Sequence, residues 1–131
     1  QTPYFAPMKP LNKKGSDLTP DVQFDPQSST LSIKGKSLPM NEVDFFGELM
    51  HWLESYSKAP NDQTTMEIDL KYLNGKTIRS LLQVLKQFQQ LSASGKNVHV
   101  QWSIPENAED IAELSRDILS GLQMPHEIRM N

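Results

Sequence analysis

The chain has 131 residues with 37% hydrophobic and 22% charged side chains, a balance that suits one globular α/β-sized domain and excludes wholesale disorder. Its formal net charge is −3 with no basic run, which argues against a nucleic-acid or anionic-membrane surface, and no apolar stretch nears the roughly 20 residues that span a bilayer. Cysteine is absent, which removes disulfides and thiol chemistry, and no charged segment leads into an apolar one as in a secretory leader; the expected location is the cytoplasm.

Residues 1–18 hold Pro3, Pro7 and Pro10 and then Asn12-Lys13-Lys14-Gly15-Ser16, with no sustained periodicity. They read as a flexible arm. Its first seven residues precede Met8 and read as an upstream or added segment, and residues 19–131 form the domain. Val22-Gln23-Phe24 and Leu31-Ser32-Ile33 alternate apolar and polar, the period of a strand, and Asp25-Pro26-Gln27-Ser28-Ser29 between them is turn chemistry. The pair predicts a hairpin.

From about 41 to 57 the period changes to that of a helix. Phe45, Phe46, Leu49, Trp52, Leu53 and Tyr56 gather on one side, with Asp44, Glu48, His51 and Ser55 opposite. Thr65 to Leu73 alternates again. A second helix follows Leu73-Asn74-Gly75 and runs to about Ser94, with Ile78, Leu81, Leu82, Val84, Leu85, Phe88 and Leu91 on one arc and Gly95 as its stop. Val98, Val100 and Trp102 predict a strand. Pro105 is placed at the start of a third helix, with Glu106, Glu109 and Asp110 near the positive end of its dipole. His126–Met130 reads as a short last strand. The order β-β-α-β-α-β-α-β calls for right-handed crossovers, hence an α/β fold with a mostly parallel sheet and an antiparallel edge hairpin. Phe46, Leu53, Ile68, Leu70, Leu81, Leu85, Val98 and Val100 are its expected core.

Catalytic patterns are missing. His51, His99 and His126 are far apart and no ligand spacing suggests a metal, so neither metal nor cofactor is expected. The acidic group Glu106, Glu109, Asp110 and Glu113 fits dipole compensation on a solvated face. Gly75-Lys76-Thr77 lies where a phosphate-binding loop would be, but that pattern needs a glycine at the position of Leu70. The chain therefore reads as a binding module and not an enzyme. The start of the second helix stands out. Asn74 can cap it, and Lys76 opposes the helix dipole and so has no role in helix stability. Free N–H groups beside a cation suit an anion or a phosphorylated hydroxyl.

The segments Met8-Lys9-Pro10-Leu11, Thr19-Pro20-Asp21-Val22-Gln23-Phe24-Asp25-Pro26 and Leu31-Ser32-Ile33-Lys34-Gly35-Lys36-Ser37-Leu38-Pro39 resemble the opening of the SiaC family of bacterial regulatory phosphoproteins. The resemblance continues through Phe45-Phe46, Trp52-Leu53, Leu70-Lys71-Tyr72-Leu73-Asn74 and Gly95-Lys96-Asn97-Val98-His99-Val100-Gln101-Trp102 to Pro125. It implies a STAS-like fold and a partner-switching adaptor role in biofilm control. By resemblance the partners are a kinase, a PP2C-type phosphatase and a diguanylate cyclase. The family's phosphorylated threonine directly follows the asparagine; here that position is Gly75, and Leu38 and Met40 stand where a tyrosine and a glutamate are common. The expected partner surface is Asn74, Gly75, Lys76 and Thr77, with Thr77 and then Ser80 as the phosphorylation candidates. The alternatives are a member that is never phosphorylated, and a small-ligand or enzymatic α/β domain using the crevice at the strand ends.

Overall fold

The computed structural model describes residues 8–16, 19–36, 42–72, 75–106 and 108–130. Nine elements follow one another: β1 (Leu11–Lys13), β2 (Asp21–Asp25), β3 (Thr30–Lys36), α1 (Glu42–Tyr56), β4 (Gln63–Tyr72), α2 (Gly75–Ala93), β5 (Asn97–Ile104), α3 (Glu109–Ser120) and β6 (His126–Met130). They build an α/β fold around a six-stranded mixed sheet whose strand order is the chain order, β1-β2-β3-β4-β5-β6. β1, β2 and β3 are antiparallel, and β3 through β6 are parallel. The predicted hairpin, helices and parallel strands are all present. Phe46, Leu53, Ile68, Leu70, Leu81, Leu85, Val98 and Val100 all lie in the core.

Two elements differ from the sequence expectation. Leu11–Lys13, read as part of the arm, pairs with Val22–Phe24 as an edge strand. Tertiary contacts hold it there, since Trp52 donates its indole N–H to the Lys9 carbonyl at 2.9 Å and Lys13 pairs with Glu48 on α1. The third helix begins at Glu109 and not at Pro105. β5 runs on through Ile104, Ala108 donates to the Pro105 carbonyl in a turn at 3.2 Å, and Glu106 therefore lies ahead of the helix.

All three crossovers step the same way across the sheet. The right-handed rule then puts α1, α2 and α3 on one face. Burial agrees with this. Val22, Phe24, Leu31, Ile33, Met66, Ile68, Leu70, Val98, Val100, Trp102 and Ile104 are buried on the helix side. Asp21, Gln23, Lys34, Glu67, Asp69, Gln101, Ser103 and Arg129 occupy the opposite face, where Lys34 pairs with Glu67 at 3.2 Å. One sheet face is thus a core and the other a polar surface.

The hairpin turn is fastened from two sides. Asp25 Oδ1 accepts from the Gln27 N–H at 2.9 Å, closing an Asx turn. Ser29 takes a left-handed backbone with φ of +59°, and its carbonyl accepts from the Thr65 N–H at 2.9 Å. Asn61, on the loop after α1, donates to the Pro26 carbonyl at 2.6 Å and to Ser29 Oγ at 2.9 Å. Beneath it the Tyr56 hydroxyl bonds Thr64 Oγ1 at 2.8 Å, and the Tyr56 ring stacks on Trp52.

Candidate protein-interaction surface

The sequence Gly75–Ala93 contains Lys76, Arg79 and Lys86 and no acidic residue, a cationic helix in a chain of net charge −3. Its apolar residues recur at helical spacing, so Leu81, Val84, Leu85, Phe88 and Leu91 face the sheet and α1. Arg79, Gln83, Lys86 and Gln90 recur three and four residues apart on the outer side and are exposed. The result is a polar, purely basic stripe. The next helix in the chain, α3, is mainly acidic, presenting exposed Glu109, Asp110, Glu113 and Asp117 beside one exposed base, Arg116.

The residues expected at the partner surface are distributed as follows. Asn74 lies outside the described residues. Gly75 and Lys76 form the opening turn of α2, at the carboxyl end of β4. Thr77 is fully buried, with 0% exposure. The cause is positional: Thr77 precedes Leu81, Val84 and Phe88 by four, seven and eleven residues and so falls on the same inward stripe. That spacing was visible in the sequence, and it is the signal that the choice of the hydroxyl nearest Asn74 overlooked. Ser80, three residues further on, is half-exposed at the edge of the stripe. The wider basic face, Arg79 and Lys86, was not singled out from sequence either.

Elsewhere, the described residues contain no group of three or more histidine, cysteine or acidic side chains that could hold a metal, and no helix among them is long and apolar enough to cross a membrane. His51 and His126 are exposed and His99 is half-buried on the polar sheet face. A groove of about 820 Å³ is lined by Met8, Pro10, Asp25, Tyr56, Lys58 and Asn61 among others. It sits at the amino end of the parallel strands, beside Thr30 and Thr65, and so at the opposite end of the sheet from the start of α2.

A mixed six-stranded sheet covered by helices on one face, with a basic helix displayed outward, defines an α/β domain. The family model of the SiaC family regulatory phosphoprotein matches residues 13–130, and the chain belongs to that family. An uncharacterized protein of Pseudomonas aeruginosa strain UCBPP-PA14 is 29% identical over 124 residues, covering 93% of this chain and 97% of that protein. Among solved structures, SiaC of Pseudomonas aeruginosa superimposes with a TM-score of 0.86 at 26% identity, covering 95% of this chain and 100% of SiaC. SiaC from the crystal structure of the diguanylate cyclase SiaD in complex with its activator SiaC gives a TM-score of 0.84 at 27% identity, over 92% of this chain and 99% of the other.

Proposed function

We propose that this chain is a non-enzymatic signalling adaptor of a bacterial partner-switching pathway, acting in the cytoplasm. Its main target is a diguanylate cyclase, and a kinase and a PP2C-type phosphatase are its other partners. The observation that carries this reading is the likeness, over 92% of the chain, to a SiaC whose structure was solved bound to the cyclase SiaD as its activator. The surface is proposed to centre on the start of α2, at Asn74, Gly75, Lys76 and Thr77, and to extend along Arg79 and Lys86. A stripe that carries cations and no acid steers toward an acidic partner face and disfavours a basic one.

Phosphorylation enters the same proposal at Thr77 or Ser80. Thr77 is enclosed, so a kinase reaches it only when the first turn of α2 opens, whereas Ser80 is open to modification in place. A phosphate at either position adds close to two negative charges to a cationic helix and reverses its attraction for an acidic partner. The test combines two measurements. Binding to a purified diguanylate cyclase and its stimulated cyclic di-GMP synthesis are measured for the wild type and for Arg79→Glu/Lys86→Glu. Intact-mass and peptide mass spectrometry of the protein from growing cells then locate any phosphate. Loss of binding in the double variant supports the α2 surface, and unchanged binding refutes it. A protein that binds and is never modified favours the permanently unmodified adaptor, in keeping with Gly75 at the family's phosphorylated position. The small-ligand reading has no comparable support, because the groove lies away from the carboxyl strand ends where open α/β sheets hold ligands.

A further inference from the structure

β6 is an edge of the sheet, paired with β5 alone in parallel register from Val100↔His126 to Ile104↔Met130 without a bulge. The Val100 N–H donates to the Pro125 carbonyl at 3.0 Å. In a parallel ladder both backbone groups of a residue turn to the same neighbour, and successive residues alternate. Glu127 and Arg129 therefore turn their backbone groups to β5, and His126, Ile128 and Met130 turn theirs outward. This edge has no proline, bulge or lysine; its charges are one acid and one base, Glu127 and Arg129, which disfavour a neutral or like-charged strand but not one of complementary charge. It also carries Met130, the exposed large hydrophobic residue among those described, at 50% exposure.

The sequence His126-Glu127-Ile128-Arg129-Met130 has opposite charges placed symmetrically about Ile128. We propose that β6 pairs antiparallel with β6 of a second copy of this chain, centred on Ile128, so that the two sheets join into one. In this register Glu127 lies opposite the second copy's Arg129, and Arg129 opposite its Glu127, on the polar face of the sheet. Ile128 meets its counterpart, and His126 meets Met130, on the helix side. The residues with outward backbone groups are then the ones opposite each other, which is the arrangement in which a pair exchanges both N–H···O bonds. Sliding the register by two residues in either direction puts Glu127 against Glu127 or Arg129 against Arg129, and like charges directly opposite are unfavourable. Charge and hydrogen-bond geometry thus select the same pairing. Within one chain Arg129 and Glu127 are in contact at 2.9 Å with side chains 57% and 38% exposed, so both are available to be shared across a two-fold axis.

Sedimentation equilibrium and light scattering on the purified chain test this. The wild type should shift with concentration from the monomer's mass toward twice that mass. Glu127→Arg, with two arginines on the strand, and Arg129→Glu, with two glutamates, should each stay monomeric. An equimolar mixture of these two variants should dimerise, because each now complements the other. The Glu127→Arg/Arg129→Glu double variant should recover self-association. Met130→Pro removes an outward N–H that β5 does not use and should weaken the dimer while leaving the circular dichroism spectrum unchanged. A wild type that stays monomeric up to its solubility limit overturns the proposal. So does a dimer that survives both single charge variants, since its interface would lie elsewhere.

Discussion

Gly95 ends α2 with φ of +89°, and the Gly95 and Lys96 N–H groups close on the Ser92 and Leu91 carbonyls at 3.0 and 3.1 Å, a Schellman stop. A Cβ added there meets nothing within 4 Å, so Gly95→Ala carries only the backbone cost of a left-handed residue. The expected loss is about 1–2 kcal/mol in urea denaturation. Asn61→Ala should cost about 1–3 kcal/mol, because it strips two acceptors of the hairpin turn of their donor. Thermal unfolding of the variant reads this directly. At Thr77 the burial changes how a phosphomimetic is interpreted. Thr77→Glu forces a carboxylate into a site with 0% exposure and should destabilise the fold by more than about 2 kcal/mol before any partner is added. Ser80→Glu, on a half-exposed position, should leave the unfolding midpoint nearly unchanged and so isolates the effect of charge on partner binding.

At the scale of the element, α2 joins the core to the proposed surface. Leu85 is fully buried on its inner side, and Leu85→Ala should lower stability by about 2–5 kcal/mol. On the outer side, Arg79→Glu/Lys86→Glu should leave the fold intact and weaken cyclase binding by about tenfold or more at low salt, with the difference shrinking as salt screens it. Reversing an acidic residue of α3, Glu113→Lys, serves as the contrasting surface change and should not weaken that binding. β1 shows what the sequence hides at this scale. Three residues between prolines and a glycine have too little pattern to announce a strand, and Leu11–Lys13 is held in place by Trp52 and Glu48, more than thirty residues away. The start of α3 was misplaced for a related reason. A proline is as compatible with leaving a strand as with entering a helix, and the choice was made by β5 continuing to Ile104.

Across the whole molecule, the strand and helix periods were legible because burial is one-sided. Met66, Ile68 and Leu70 alternate with Thr65, Glu67 and Asp69, and Val98, Val100 and Trp102 with His99, Gln101 and Ser103. The same alternation also marks a sheet with one solvated face, since parallel strands covered on both faces read as continuous apolar runs. The surface stayed less legible because exposed residues answer to partners absent from the fold, and Thr77, the hydroxyl nearest Asn74 in sequence, falls on the buried stripe of α2. The helix-side residues form one continuous cluster from Val22 to Met124, with Trp52 and Trp102 both inside it. Tryptophan fluorescence and far-ultraviolet circular dichroism should therefore report a single coincident unfolding transition; two separated transitions would divide that core.

The identity of strand order and chain order has a consequence during synthesis. A growing chain leaves the ribosome from its amino end, and here each new strand finds its sheet neighbour already outside. No strand waits for a later one to slot between it and its partner, and each closure spans at most one helix and its loops, which keeps the entropy of loop formation small. The nascent sheet thus lengthens from one side only: β1 stays its fixed border, and its growing border is always the strand made most recently.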